Sequence, residues 1–156
     1  MKEARPKDVP GVVTAPVVIY AAPLLAGLLY DWRKPGLLPK KVACPLGLGL
    51  AGTGTILGLQ AAWQFRRAGT SLEPWEPTTA LVAGGVYRYT RNPVYLGFAC
   101  IYAGIALMAS SCTALYLLPA VVALINRGVI EREERYLEDK FGDQYRTYAQ
   151  KARRWI

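Results

Sequence analysis

Charge is missing from three long stretches of this chain. Val9 to Tyr30 carries none, nor does Val42 to Phe65, nor Asn92 to Asn126. A helix needs about 20 apolar residues to cross the hydrocarbon core of a bilayer. The first two stretches suit one crossing each. The third suits two short helices, bent near Ser110-Ser111-Cys112, with Pro119 further along. The pattern predicts an all-α, polytopic membrane protein with about four transmembrane helices, near 11–30, 43–64, 94–109 and 112–127. Soluble helices rarely run this far without a charge, which argues against a soluble helical bundle. The region 1–66 carries helices 1 and 2; 67–156 carries a long connector, the membrane hairpin and the C-terminal helices.

After helix 4 the period changes. Ile130, Glu133/Glu134, Leu137 and Phe141 recur at helical spacing, so 129–141 extends helix 4 out of the membrane. Gly142 is placed to cap that extension, and Asp143 can start another helix. In the last segment Tyr145, Tyr148, Ala152 and Trp155 share a face, with Arg146, Lys151, Arg153 and Arg154 toward the other. A basic amphipathic helix ending in Trp reads as an interfacial anchor at headgroup level. Within helix 2, Gly47, Ala51, Gly54 and Gly58 fall on one face and let another helix approach closely, within the chain or between chains. The connector 66–91 holds turn residues at Ala68-Gly69-Thr70-Ser71, Glu73-Pro74, Glu76-Pro77 and Gly84-Gly85, and a loop this long is usually functional or disordered.

At 156 residues the chain makes one domain, 1–156. Its net charge of +8 is uneven. Lys2, Arg5 and Lys7 precede helix 1; Arg66, Arg67, Arg88 and Arg91 follow helix 2; more basic residues follow helix 4. The positive-inside rule puts both termini in the cytoplasm, although Arg33, Lys34, Lys40 and Lys41 then face outward. This describes an integral membrane protein, its basic charge serving topology and anionic lipid rather than nucleic acid. The stretch after Lys7 is too long for a signal peptide. Cys44, Cys100 and Cys112 have no metal-ligand spacing, so no metal site is expected. There is no histidine, which removes the commonest general base.

Two polar clusters bracket the hairpin. The first runs from Gly85 through Tyr87, Arg88, Tyr89, Arg91, Asn92, Pro93 and Tyr95 to Gly97. Asn92 is a good N-cap and Pro93 suits the first helical position, so helix 3 would offer free N–H groups to an anion. Arg91 can bind a carboxylate or phosphate bidentately. The second cluster is Glu131-Arg132-Glu133-Glu134. Neighbours on a helix point about 100° apart, so Glu133 and Glu134 have different roles. Arg127, at the membrane end of helix 4, is a candidate for binding a negative group on a substrate, or a snorkelling anchor.

Together these clusters resemble the isoprenylcysteine carboxyl methyltransferase and phospholipid methyltransferase family, in its bacterial branch. The segment Leu81 to Gly97 carries one half of the likeness; Glu133-Glu134, Leu137, Phe141-Gly142, Tyr145 and Tyr148 carry the other. The resemblance implies a membrane methyltransferase with an S-adenosylmethionine site at the cytoplasmic face. Leu81 and Val82 would line the cofactor pocket. Tyr87, Asn92, Pro93 and Tyr95 would contact the cofactor, and Glu133 or Glu134 would close the site. Arg91 would bind the methionine carboxylate or orient the loop, and Arg91, Glu133 and Glu134 are the catalytic candidates. The eukaryotic members have His at the positions of Thr79 and Asn92. The acceptor would be a lipophilic small molecule or lipid bearing a carboxylate, thiol or amine. A sulfonium is already activated, so positioning does most of the catalysis. The alternatives are an NADPH-dependent membrane reductase and a non-catalytic lipid-binding membrane protein.

Overall fold

A computed structural model of the chain describes residues 8–156 apart from Val13, Pro35, Leu37 and Pro74. The basic residues Lys2, Arg5 and Lys7 and the turn residue Pro74 therefore lie outside the described residues. The elements in order are α1 (Pro16–Asp31), α2 (Lys40–Ala68), a 3-10 turn (Gly85–Arg88), α3 (Pro93–Met108), α4 (Cys112–Ile125), a π turn (Asn126–Ile130), α5 (Glu131–Phe141) and α6 (Asp143–Lys151). Among the described residues there is no β-strand, only one isolated parallel bridge between Thr90 and Arg153.

Two helical runs are long and apolar enough to cross a membrane: α2, and the continuous run Cys112–Phe141 built from α4, the π turn and α5. The other apolar helices, α1 and α3, have 16 residues each. At about 1.5 Å per residue such a helix reaches roughly 24 Å, short of a core about 30 Å thick. The expected start of helix 1 near residue 11 moves to Pro16, which takes the first helical turn. The preceding segment is held elsewhere: Gly11 is left-handed at φ +63°, and Arg132 Nη1 donates to its carbonyl at 2.9 Å.

α3 is the centre of the bundle. It packs on α2, α4 and α1, and no residue from Pro93 to Met108 is exposed. The α2–α3 contact depends on missing side chains. A Cβ at Gly104 would lie 2.5 Å from the Gly47 carbonyl oxygen, and one at Gly97 would lie 2.7 Å from that of Gly54. The small-residue face of helix 2 thus packs within the chain through Gly47, Ala51 and Gly54, while a Cβ at Gly58 would meet open space. α1 lies along α4, where Gly27 fits against Ala114. Tyr20, Tyr102, Ala106, Val121, Ile125, Val129 and Ile130 fill the centre.

The hairpin bends where the two serines stand. Ser110, at φ +56°, ends α3 in the left-handed region, with Ser110 N–H donating to Leu107 O and Ser111 N–H to Ala106 O. This closes the free carbonyls of the helix end as a Schellman turn does. Ser111 then caps α4 by accepting from Ala114 N–H. Asp31, from the end of α1, accepts from Ser111 Oγ, Thr113 N–H and Thr113 Oγ1. A carboxylate over the positive start of α4 fixes the far end of the bundle.

Gly104→Ala forces a Cβ into the Gly47 backbone and should cost roughly 1–3 kcal/mol, as overpacking does. Gly49→Ala on the open face of α2, where a Cβ meets nothing within 4 Å, should leave stability nearly unchanged. Thermal unfolding in one detergent compares the two.

Candidate active site

At the end of the bundle opposite Asp31, α2 ends, α3 begins and α4 continues into α5. Gly69, left-handed at φ +64°, closes α2, and the connector leads back to the 3-10 turn. The amide of Gln64 lies on Gly85, so closely that a Cβ there would overlap it; with its oxygen turned toward Val86 N–H it accepts at 3.0 Å. Gly85 also has φ +54°, so this turn needs glycine for two reasons. The turn places Tyr87 inward, 6% exposed, its ring 5.5 Å from that of Phe65.

A cavity opens here. The space between its walls, open solvent at its mouth included, is about 840 Å³. Phe65, Leu72, Leu81, Val82, Val94 and Leu137 give it apolar walls. Tyr87, Arg91, Asn92, Pro93, Tyr95, Glu133 and Glu134 also line it, with Tyr145 and Tyr148 from α6. All the residues nominated from the sequence for cofactor contact thus meet in one place. Arg127 does not join them; it is exposed on the π turn.

The two carboxylates separate. Glu133 Oε1 accepts from Tyr95 Oη at 2.6 Å, and Tyr20 Oη holds the backbone of Tyr95 by donating to its carbonyl at 3.0 Å. Glu134 points the other way. Arg154 donates to both of its oxygens, Nε to Oε1 at 3.1 Å and Nη2 to Oε2 at 2.5 Å, and Arg91 Nη2 lies 3.3 Å from Oε1. Glu134 is therefore neutralised by two guanidinium groups, while Glu133 has no cation partner among the described residues. Arg91 keeps its Nε buried and without a hydrogen-bond partner among the described residues.

The residues after α6 take a role that the sequence reading missed. The helix ends at Lys151, so Ala152 and Trp155 do not continue its face. The chain instead runs back beside the loop. Arg153 O accepts from Arg91 N–H at 2.8 Å, and Arg154 O accepts from Asn92 Nδ2 at 2.9 Å and Thr90 Oγ1 at 3.3 Å. Asn92 occupies the N-cap position of α3 but makes no capping bond with its side chain, because its amide is spent on Arg154. Pro93 does take the first helical turn. α6, expected as an anchor, contributes Tyr145 and Tyr148 to the cavity, and Tyr148 Oη donates to Tyr87 O at 2.8 Å. On the other side Asp8 accepts from Tyr136 Oη and pairs with Lys140 at 2.7 Å, while Tyr136 Oη accepts from Thr78 N–H. That network brings Pro10 to the cavity wall.

The sequence pattern of the phospholipid methyltransferase family matches residues 42–144, most of the chain, from the first turn of α2 to the start of α6. The chain belongs to the phospholipid methyltransferase family. Its likeness to individual family relatives is more local. Over 35 residues it is 60% identical to a Haemophilus influenzae protein described as uncharacterized, covering 22% of this chain and 56% of that one. Over 68 residues it is 43% identical to methanethiol S-methyltransferase 1 of Bradyrhizobium diazoefficiens, covering 43% of this chain and 22% of the relative. Over 72 residues it is 34% identical to protein-S-isoprenylcysteine O-methyltransferase of Schizosaccharomyces pombe, covering 46% of this chain and 30% of the relative. These alignments span from about a fifth to just over half of the relatives' own lengths. No solved structure matches the chain. Membership supports methyl transfer by a membrane enzyme.

Burial raises Glu133 from its ordinary value near 4.5 to about 7; the Tyr95 hydrogen bond opposes this and the Glu134 charge adds to it. Between these two values the folded protein holds a proton that the unfolded chain has lost. Stability therefore falls as pH rises through that window. Glu133→Gln removes the titration, so the variant should unfold at a higher temperature than the parent at pH 8 and lose that advantage by about pH 4.5. Melting curves across pH measure it.

Proposed function

We propose that this protein is an S-adenosylmethionine-dependent methyltransferase acting on a lipophilic acceptor at the cytoplasmic face of the bacterial inner membrane. The observation that carries the reading is the convergence of loop 81–95 and α5 on one cavity with apolar walls and a carboxylate left without a cation. The cofactor supplies an activated methyl group on a sulfonium. The residues fit it. Glu133 suits its positive charge, the buried free Nε of Arg91 suits its carboxylate, and Leu81, Val82, Tyr87 and Pro93 suit its apolar and aromatic surfaces. Asn92 supports this binding wall through Arg154.

In this reading α1 and α3 also cross the bilayer, giving four crossings with both ends of the chain in the cytoplasm. Sixteen-residue helices do so by local thinning of the bilayer or by placing their polar ends in the headgroup region. Charge begins again at Arg127, so α5, α6 and the cavity lie at the membrane surface. Exposed apolar side chains on α2, among them Leu48, Ile56 and Leu59, face lipid. Catalysis is chiefly orientation: the walls hold acceptor and donor in line and exclude water. Arg127 has no part in it.

Detergent-purified protein should gain thermal stability from S-adenosylmethionine and from its demethylated product. At about 100 times the dissociation constant the gain is roughly 2.7 kcal/mol. Arg91→Ala should weaken the shift, since it frees Glu134 on one side and removes the free donor. A shift with NADPH and none with the sulfonium would replace this reading with the reductase. No shift with either would favour lipid binding.

A further inference from the structure

We propose that residues 8–12 form a strap at the edge of the cavity, and that its release and re-latching gate the passage of the cavity's ligand. Such a gate serves whichever ligand the cavity takes. Residues 8–12 precede the family match, which starts at residue 42, so their part has to be read from this chain. Val12 is the fixed end, packed against the core of the bundle. Gly11 turns the chain at φ +63°, and a Cβ there would meet nothing within 4 Å, so its neighbours leave the bend room to change. Pro10 lines the cavity beside Tyr136 and Thr78. Asp8 and Gly11, to either side of it, are exposed, so this stretch of wall is the cavity's outer edge. Asp8 is the latch. Lys140 Nζ donates to its Oδ1 at 2.9 Å and its Oδ2 at 2.7 Å, and Tyr136 Oη donates to Oδ1 at 3.0 Å. Arg132 Nη1 adds a second hold on the Gly11 carbonyl at 2.9 Å.

The latch is of a kind that lets go. The Asp8 side chain is 58% exposed, and water reaches its pair with Lys140. An exposed ion pair shifts an equilibrium by no more than about fivefold, and salt weakens it further. The far wall is held differently. There Glu134 is mostly buried, and it takes two hydrogen bonds from Arg154 beside the Arg91 guanidinium. One side of the cavity is therefore fixed and the other lightly held. Segments with few buried contacts open locally without global unfolding, and the lids of binding sites are drawn from them. Tyr136 carries the motion into the connector, because the hydroxyl that meets Asp8 also accepts from Thr78 N–H at 3.1 Å. Ser71, Leu72 and Thr78 of that connector line the same cavity. Release of Asp8 thus frees two neighbouring parts of the wall, the strap and the connector, at one point on α5.

The first test needs no ligand. Leu137→Cys puts a thiol on the cavity wall, and fluorescein maleimide, a bulky reagent, labels it in detergent-purified protein. Mass spectrometry separates this site from Cys44, Cys100 and Cys112. Adding Asp8→Ala should speed labelling at position 137 by up to about fivefold. Gly11→Ala should speed it too, since a Cβ disfavours the left-handed bend. Asp8→Lys with Lys140→Asp rebuilds the pair and should return the rate toward that of Leu137→Cys alone. Cys112, at the far end of the bundle, should label at one rate throughout. Unchanged labelling at position 137 overturns the gate, and so does a parallel rise at Cys112, which marks general loosening. The second test follows binding of S-adenosylhomocysteine, the demethylated product, to the Asp8→Ala variant with Leu137 intact. A gate speeds association and dissociation together and leaves the dissociation constant nearly unchanged. A rise in dissociation alone is what loss of a ligand contact gives, and it overturns the gate. Failure of the parent to bind this product or S-adenosylmethionine overturns the methyltransferase reading, while the labelling rates still decide the strap.

Discussion

Glu134 accepts two hydrogen bonds from Arg154 and lies beside Arg91, so one carboxylate joins α5, the start of α3 and the segment after α6. The rest of the site depends on that junction. With Arg154 held, its carbonyl and that of Arg153 receive Asn92, Thr90 and Arg91. The loop that forms the cavity wall is then fixed from behind by parts of the chain far away in sequence. The two cations also cancel Glu134, which leaves the adjacent Glu133 lining the cavity without a cation partner among the described residues.

That division is a matter of helix geometry. Adjacent residues on α5 point about 100° apart, so one carboxylate can reach outward to Arg154 while the other reaches Tyr95. The π turn from Asn126 to Ile130 precedes them and sets the rotation at which α5 leaves the membrane helix. Such π segments recur at functional sites because the extra residue in the turn re-aims the side chains that follow. Asn126 ties the turn to its surroundings, donating to Glu131 Oε1 and accepting from Trp155 Nε1.

The far end of the bundle has a counterpart. Asp31 covers the start of α4, and the α2–α3 glycine contact runs between the two ends. The cavity therefore sits on a frame whose helices are fixed at both ends and close-packed between.

Much of this was legible in the sequence. The runs without charge gave the helices, because apolar length is what a bilayer selects. The serine pair gave the hairpin bend, and Gly142 gave the break before α6. Loop 81–95 and Glu133-Glu134 were linked in the sequence by the family resemblance, and they line one cavity. Other features had no local sign. Asn92 looked like a cap because capping is a local property, yet its amide is taken by Arg154, 62 positions away. Arg154 looked like a charge for lipid headgroups, and α6 like an anchor, because amphipathicity records only that one face is covered and not what covers it. Sequence alone determined which stretches are helical and which residues can do chemistry, since both follow from side chains and their near neighbours. Which of two adjacent glutamates stays free was decided by tertiary structure, because that depends on where distant guanidinium groups arrive when the chain closes.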